Sequence, residues 1–398
     1  MTSIPVTADG RGSRIEQPEY DALLDEVTRW VRGPGESWAE RIEETGTLPR
    51  ELYDELRQRG YLSMAAPAEL GGRGLSFSQW MGLMEVFSRS HASIRMLVHV
   101  LNGTWRAINP HVTDAQRDRF VRPMIAGDLL VAFTLTEPGN GTGADITSTV
   151  RREGDTYLLN GRKHLITFGV NCDHWLLFAR LEGTSGKDGT VALLVDRHAP
   201  GADVEDTSQT MGVHGTDHAS LTFADTPVPV AQRLGEEGDG LAIALGGFLT
   251  PSRISVAMSC VGLAERAQEL AVDYATGRVT FGKPIASRQA VAFMIAENEA
   301  DIQAAKQLTL HAARRWEEGA DDAAALSSMA KMTAVDMLTR VTDKALQVHG
   351  GIGYWKSSPI ERVYRDARAQ RFEEGTNEIQ KTVVARDVFT RAAQEEDA

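Results

Sequence analysis

The chain has few cysteines and lacks the motifs of metal and hydrolase chemistry. It contains two cysteines, Cys172 and Cys260, which lie far apart and form no CxxC pair. This spacing argues against a disulfide framework or a structural zinc site and is typical of a reducing compartment. The sequence has no HExxH, no carboxylate–histidine cluster and no G-x-S-x-G elbow, so we expect neither a metal site nor an acyl hydrolase.

The chain also lacks a long apolar run and an excess of basic residues. Residues 1–14 have neither a basic n-region nor an apolar h-region, and we identify no apolar run of about 18 residues. We therefore expect a protein that is neither secreted nor membrane-spanning, with the cytoplasm as its location. With 55 acidic and 42 basic residues the net charge is −13, which disfavours nucleic acid and anionic membranes as partners.

Hydrophobic periodicity divides the chain into three predicted domains. Residues 1–128 carry apolar positions at helical spacing, whereas residues 129–236 carry short β-branched and aromatic runs separated by turn residues. Residues 237–398 return to the helical period in long segments that predict an antiparallel four-helix bundle. These segments span residues 241–276, 288–316, 322–348 and 376–393. The predicted class is multidomain α+β, with an N-terminal α-helical domain, a central β domain and a C-terminal four-helix bundle.

A dinucleotide-binding Rossmann fold does not fit this pattern. Gly139, Gly141 and Gly143 do not form G-x-G-x-x-G, and strands do not alternate with helices. Two other segments carry the most specific signal in the chain. They read Thr136-Glu137-Pro138-Gly139 and, at residues 371–380, RFEEGTNEIQ.

Together these two segments resemble the acyl-CoA dehydrogenase family, and the resemblance covers nearly the whole chain. It implies that family's fold, with a β-barrel-like central domain, and a tightly bound FAD. It also implies that Glu374 is the base that removes the α-proton of an acyl thioester, while FAD N5 accepts the β hydride. Taken alone, a Glu-Gly pair before a helix is more often a surface turn, so the assignment depends on the whole motif.

Residues at the start of the first bundle helix have roles implied by the same resemblance. Ser252 stands where some relatives carry the base, and a hydroxyl cannot serve as a carboxylate. The next residue, Arg253, is implied to support the substrate and the catalytic loop. An ion pair that joins helices is its alternative role, and the two roles are compatible.

The resemblance implies a set of contacts with the flavin. These are Phe133, Leu135, Thr136, Thr142, Leu165, Thr167, Thr376 and Glu378. Residues 140–145 depart from the family pattern with a longer turn, in which Thr142 is expected to lie near flavin N5 and the substrate. Leu165 replaces a tryptophan that packs on the flavin in relatives, and an ordinary core role is its alternative.

Two further segments are implied to hold the FAD pyrophosphate. Their residues are Arg278, Thr280, Phe281, Gln289, Gln347, Gly350 and Gly351. An arginine offers planar donors to phosphate oxygens, and glycine permits close approach of the backbone. For Gly350 and Gly351 a helix C-cap is the alternative, and both roles can hold. In relatives these segments reach the FAD of a neighbouring subunit, so a homotetramer is expected.

Arg95 lies in the helix from which relatives build part of the acyl pocket. A charge in an apolar pocket is costly unless it is paired. One hypothesis is that Arg95 binds a distal carboxylate of the acyl group, as an arginine does in glutaryl-CoA dehydrogenases. The alternative is that Arg95 faces solvent or pairs with a carboxylate elsewhere in the chain.

The prediction is an FAD-dependent enzyme that converts acyl-CoA to trans-2-enoyl-CoA and passes electrons to an electron-transferring flavoprotein. Alternatives are an acyl-carrier-protein-linked dehydrogenase of a biosynthetic pathway and an acyl-CoA oxidase on the same fold. A non-catalytic acyl-thioester-binding subunit is an alternative from a different class, and the presence of Glu374 and Arg253 counts against it. The length and branching of the acyl chain stay open, as does the choice between CoA and carrier protein.

Overall fold

The order of helices, sheet and helices is the one that the sequence predicts. The computed structural model describes residues 7–139 and 145–396. Within them, the last helix before the sheet ends at Ala126 and the first strand begins at Val131. Helices return at Gly240. The predicted multidomain α+β class is therefore confirmed.

The N-terminal part is built from helices that each bury one apolar face. They are α1 (Gln17–Arg32), α2 (Pro34–Thr45), α3 (Arg50–Gln58), α4 (Phe77–Phe87), α5 (Ala92–Ile108), α6 (Asp114–Gln116) and α7 (Arg122–Ala126). α1 buries Leu23, Val27, Trp30 and Val31, the spacing of one helical face. Ser76 precedes α4 and forms a capping box with Gln79. The Ser76 hydroxyl accepts a hydrogen bond from the Gln79 backbone N–H, and the Gln79 side-chain oxygen accepts one from the Ser76 backbone N–H.

In the residues that the structure describes, the central part forms one eight-stranded sheet. Its strands are β1 (Val131–Thr134), β2 (Thr149–Glu153), β3 (Thr156–Thr167), β4 (His174–Leu181), β5 (Thr190–Asp196), β6 (Ala202–Asp206), β7 (His218–Pro229) and β8 (Arg233–Leu234). The order is β6-β7-β3-β2-β4-β5-β8, with β1 beside β4. β1 and β2 run parallel to β4, and the remaining pairs are antiparallel.

Alternate residues of β4 enter two different cores. Trp175 and Leu177 join residues from β3, β5 and β7 in one apolar cluster, so the sheet curls around its own core. Leu176 and Phe178 face the N-terminal helices and pack with residues of α5 and α7. The two-residue period of a strand therefore ties the sheet to the helical part.

The C-terminal part contains the long predicted helices and one that the sequence did not predict. Its elements are α8 (Gly240–Ala242), α9 (Thr250–Gly277), β9 (Val279–Thr280), β10 (Lys283–Pro284), α10 (Gln289–Glu317), α11 (Ala323–His349), α12 (Pro359–Ala369) and α13 (Asn377–Glu396). α12 is the unpredicted helix. β9 and β10 form a short antiparallel hairpin. A π-helical segment, Ile243–Leu249, precedes α9 and brings the chain to Pro251 in its first turn.

The segment Gly240–Gly277 is, by length and composition, long and apolar enough to span a membrane. Its most apolar 18-residue window has a mean hydropathy of 1.4, and 67% of that window is buried. The expectation that no stretch of about 18 residues is this apolar was therefore wrong. The physical reason is that α9 is a central helix, whose residues share one core with α1, α4, α10 and α11.

Candidate active site

The predicted base lies in a tight turn between α12 and α13. Glu374 has a φ of 54° and Gly375 a φ of 95°, so two consecutive residues are left-handed. A non-glycine residue in this region costs roughly 1–2 kcal/mol. The Glu374 carbonyl oxygen accepts hydrogen bonds from Arg253 Nε at 3.2 Å and from Gln380 Nε2 at 3.1 Å. Strain of this kind clusters at functional sites, where surrounding contacts hold it in place.

The carboxylate of Glu374 is held by a side chain at the start of α9. Ser252 Oγ donates to Glu374 Oε1 at 2.7 Å, and His99 Nε2 lies 2.9 Å from Ser252 Oγ and 3.9 Å from Glu374 Oε1. The Glu374 side chain is 15% exposed. It is therefore oriented and largely desolvated but still open to a ligand, which is the condition a general base requires.

Arg95 is paired with the residue next to the predicted base. Its two terminal nitrogens donate to the two oxygens of Glu373 at 2.8 and 2.9 Å. Burial by itself raises the pKa of the Glu373 carboxyl, but the adjacent Arg95 charge more than offsets this and lowers the pKa. Of the two readings of Arg95, the structure shows the pairing with a carboxylate of the chain. A role for this guanidinium in binding a substrate carboxylate stays a prediction, since both of its terminal nitrogens bond to Glu373 in the chain by itself.

A buried lysine of α11 donates hydrogen bonds to backbone carbonyls of the same turn. Lys331 Nζ donates to the carbonyl oxygens of Gly375 at 2.8 Å and Arg371 at 3.1 Å, and lies 3.4 Å from Asn377 Oδ1. Burial lowers the pKa of Lys331, while nearby Cys260 and Glu373 oppose that shift. These contacts connect both ends of the turn to the central helices.

A second buried ion pair involves Glu137 of the first motif, Thr136-Glu137-Pro138-Gly139. Lys163 Nζ contacts Glu137 Oε1 at 2.8 Å and the Leu135 carbonyl at 3.1 Å. Glu137 also accepts from the Thr147 and Ser148 backbone N–H groups at 2.7 and 3.0 Å. Burial raises the pKa of Glu137, and the Lys163 charge with these hydrogen bonds lowers it to about 2. Glu137 therefore fixes the turn after β1 and does not serve as a second base.

The residues implied to face the flavin ring lie along β1 and β3. Phe133 stacks on Phe248 with ring centroids 4.1 Å apart, and Leu135 is buried. The Thr136 carbonyl accepts from His164 N at 2.9 Å, which joins the end of β1 to β3. Leu165 has a φ of 57° and is 60% exposed, so its alternative as an ordinary core residue is wrong.

The end of β3 lies near the turn that carries Glu374. Thr167, at the end of β3, pairs with His218 of β7. Burial lowers the pKa of His218, and the charge of Glu373 is among the groups that oppose this shift. The loop before β7 also contacts α12, because Val213 N donates to Asp366 Oδ1 at 2.7 Å. The loop before β7, the strand that pairs with β3, is thus joined to α12, the helix that precedes the turn with Glu374.

The remaining predicted flavin contacts lie on the surface of the single chain. Phe281, at the tip of the β9–β10 hairpin, is 96% exposed, and Thr280 is half-buried. The others that are exposed are Arg278, Gln289, Gln347, Gly350 and Gly351. Gly350 ends α11 with its N–H bonded to the Gln347 carbonyl, as the C-cap alternative has it. Within residues 7–139 and 145–396, no hydrogen bond joins this group to the Glu374 turn.

Thr376 and Glu378 line a cavity next to the turn. Its volume is about 270 Å³, and its walls include two arginines. The lining residues are Thr339, Arg368, Arg371, Phe372, Thr376, Asn377 and Glu378. Thr142, with its neighbours in residues 140–144, lies outside the described residues.

Sequence reasoning did not find the groups that hold Glu374 and its neighbour. It dismissed Ser252 as a base but did not identify it as a hydrogen-bond donor, and it missed His99, Glu373 and Lys331. A signal for His99 exists, because Arg95 and His99 are four residues apart in a stretch of α5, Ile94 to Leu101, that is otherwise apolar, and so share one face. Lys331 is likewise a charge at a buried position of α11.

Comparisons with known proteins match the chain along almost its whole length. The family models that match are the N-terminal, middle and C-terminal domains of acyl-CoA dehydrogenase, at residues 17–128, 132–226 and 238–389. An acyl-CoA dehydrogenase of Bacillus subtilis (strain 168) is 35% identical over 354 residues, which are 87% of this chain and 92% of the relative.

Two further relatives extend the comparison. The caffeyl-CoA reductase-Etf complex subunit CarC of Acetobacterium woodii is 35% identical over 350 residues, covering 87% of this chain and 91% of that protein. The solved structure of butyryl-CoA dehydrogenase from Megasphaera elsdenii superposes with a TM-score of 0.87 at 31% identity. It covers 94% of this chain and 99% of that one.

Proposed function

Because the chain belongs to the acyl-CoA dehydrogenase family, we propose that it dehydrogenates an acyl thioester between its α and β carbons, with Glu374 as the base. The observation that carries the proposal is how Glu374 is held, through both its backbone and its side chain. Glu374 sits in a strained turn, held through its carbonyl by Arg253 and through its carboxylate by Ser252. Such over-determined positioning is what an α-proton of low acidity demands of its base.

The residues present fit FAD as the cofactor. Leu165 of β3, the strand implied to face the flavin ring, is an apolar side chain that is exposed next to a buried core. Covering such a side chain with an aromatic ligand removes apolar surface from water and so lowers the free energy of the protein. Phe133, Leu135, Thr136, Leu165 and Thr167 would hold the ring, and Thr376 and Glu378 would line the adjoining cavity. When bound, FAD supplies a two-electron acceptor for the β hydride.

Groups of the chain itself can accept the α-proton and stabilise the negative charge that its removal creates. Ser252 occupies Oε1 of Glu374, which leaves Oε2 without a partner among residues 7–139 and 145–396 and free to take the α-proton. The Glu374 backbone N–H is likewise unpaired within the same residues. A backbone N–H near the thioester oxygen stabilises the negative charge that develops there as the proton leaves. The base and the oxyanion donor would thus come from one residue.

The proposed substrate is an acyl-CoA and the proposed acceptor is an electron-transferring flavoprotein. The butyryl-CoA dehydrogenase and the Etf-complex subunit among the relatives support these choices by name. We further infer a homotetramer, because large apolar side chains remain uncovered on the C-terminal part of the single chain. The most exposed of those in the described residues are Phe281, Tyr354, Trp355 and Phe389. A cytoplasmic location is proposed from composition alone.

The test is anaerobic bleaching of the visible flavin absorbance by a panel of acyl thioesters. The panel contains short, branched, long and dicarboxylic acyl groups, each as the CoA and the carrier-protein thioester. We expect one class to bleach the protein, and Glu374→Gln to slow bleaching about 10²- to 10⁴-fold without loss of FAD. The control is Glu51→Gln, which removes an exposed carboxylate of α3.

Three outcomes would contradict parts of the proposal. A colourless protein that takes up no FAD would indicate a thioester-binding subunit. A yellow protein that no thioester bleaches would indicate other flavin chemistry. Bleaching only by carrier-protein thioesters would replace CoA as the substrate carrier while leaving Glu374 as the base.

A further inference from the structure

α5 contacts two consecutive glutamates of the catalytic turn from one face. Arg95 and His99 are four residues apart, so their side chains project from the same side of the helix. Arg95 binds both oxygens of Glu373, while His99 Nε2 lies 2.9 Å from Ser252 Oγ, which in turn donates to Glu374. The family resemblance accounts for Glu374 and Arg253, but it assigns no role to His99.

The direction of these hydrogen bonds follows from proton counting. A serine hydroxyl has one proton, and Ser252 uses it for Glu374 Oε1 at 2.7 Å. Ser252 must therefore accept from His99, so the proton of the imidazole is on Nε2. His99 Nδ1 is buried without a hydrogen-bond partner among residues 7–139 and 145–396. A second proton there would be a buried, unpaired donor, which costs about 1–3 kcal/mol.

A one-way chain of donors therefore leads to the base. His99 Nε2–H donates to Ser252, and Ser252 donates to Glu374 Oε1. Hydrogen bonds to the charged form of a carboxylate favour that form and restrict its rotation. With Oε1 engaged, Oε2 is the oxygen left for a substrate proton.

We propose that His99 is a positioning residue, which acts through Ser252 to hold Oε1 of Glu374 and so presents Oε2 to the substrate. This role rests on the proposed function, in which Glu374 is the base. His99 does not contact the reacting atoms in this arrangement. The charged groups that face the same carboxylate from other elements are Arg253 of α9 and Lys331 of α11, and Glu373 faces His99 from the turn itself.

The first experiment compares His99→Phe, which keeps a ring but loses the donor, with His99→Gln, which keeps a donor. We expect His99→Phe to slow anaerobic flavin reduction about tenfold, the rate equivalent of one hydrogen bond, with KM unchanged. The acid limb of its pH–rate profile should move to higher pH, because Ser252 loses the donor that orients its hydroxyl towards the carboxylate. His99→Gln should recover most of the rate and the profile.

The matched control is His174→Phe, since both ring nitrogens of His174 are buried without hydrogen-bond partners in the described part of the chain and the residue lies on β4 against Phe120. It should leave rate and profile unchanged. A His99→Phe variant with wild-type rate and profile would overturn the proposal. So would equal losses in His99→Phe and His99→Gln, which would indicate packing alone, or a change confined to KM, which would indicate a ligand contact.

The second experiment does not depend on turnover. ¹⁵N-histidine NMR of the holoprotein, with the His99 signals assigned by their loss in His99→Phe, reports the tautomer directly. We expect the neutral Nε2–H form, with a change at Nε2 in Ser252→Ala. An Nδ1–H tautomer would overturn the proposal even if the enzyme oxidises acyl thioesters. If no thioester is oxidised, the Nε2–H result would still establish the donor chain, and only the proposed function would fail.

Discussion

Replacing Arg95 by Met should destabilise the protein more than most single substitutions. Arg95 is 1% exposed, and its guanidinium makes a two-point contact with Glu373. Removing one partner leaves the other as a buried, uncompensated charge, and such changes cost about 3–5 kcal/mol. The same cost is expected for Glu373→Met, because Arg95 would then lack its counter-ion.

The double variant should behave differently from the sum of the two. With both charges gone, apolar side chains of similar size fill the site and no charge remains buried, so stability should return to within about 2 kcal/mol of the wild type. The expected coupling is therefore at least about 4 kcal/mol, well outside the additivity seen for independent sites.

Thermal unfolding of the purified holoprotein measures this coupling. At about 2–4 °C per kcal/mol for a unit of 150–250 residues, each single substitution should lower the Tm by roughly 6 °C or more. The matched control is the exposed i,i+4 pair of Arg50 and Asp54, whose nitrogen–oxygen distance is 3.0 Å. Its removal should change stability by less than about 0.5 kcal/mol.

Two results would refute the reasoning. Strictly additive losses in the double variant would mean that Arg95 and Glu373 do not compensate each other. A double variant that regains stability but loses a preference for dicarboxylic acyl thioesters would mean that Arg95 serves a substrate carboxylate as well. An unchanged substrate profile with recovered stability is the result we expect.

Three further predictions concern other parts of the molecule. Lys331→Met should lower the Tm and slow flavin reduction, because two carbonyls of the catalytic turn lose their donor at about 1–3 kcal/mol each; an unchanged rate would contradict this. Glu137→Gln should destabilise the protein at neutral pH and reduce the loss of stability that occurs as the pH is lowered. The low pKa of Glu137 contributes stability above its unfolded value of 4.5 that is lost as pH falls towards 2, so an unchanged acid midpoint would contradict the ion pair. Gly262→Ala should cost about 1–3 kcal/mol, because its Cβ would lie 2.1 Å from the Glu85 carbonyl oxygen where α9 crosses α4; an unchanged Tm would contradict that crossing.

Much of the fold could be predicted from local pattern, and the exceptions have physical reasons. α1 and the long helices carry enough periodic apolar residues to identify their type. α12 has only Ile360, Val363 and Ala367 on its apolar face, interleaved with charges, so its short pattern did not stand out. The π-helical segment before α9 was also invisible, because its residues are as apolar as those of the helix that follows.

The candidate site likewise contains residues that a local motif predicts and contacts that no local motif predicts. Glu374 and Arg253 could be identified because the residues around each form a local motif. The contacts that hold Glu374 and its neighbour Glu373 could not be identified, because Arg95 and Glu373 are 278 positions apart and Ser252 and Glu374 are 122 apart. No local pattern reports a contact over that distance.

Local patterns of residues set the type and order of the elements and mark the predicted base, because both depend on neighbouring residues. Packing between distant elements selects the group that neutralises each buried charge. Arg95, read from sequence, is compatible with a substrate carboxylate or a carboxylate of the chain. Only the approach of α5 to the turn before α13 selects Glu373, since a buried charge pairs with whatever opposite charge the packing brings within hydrogen-bond distance.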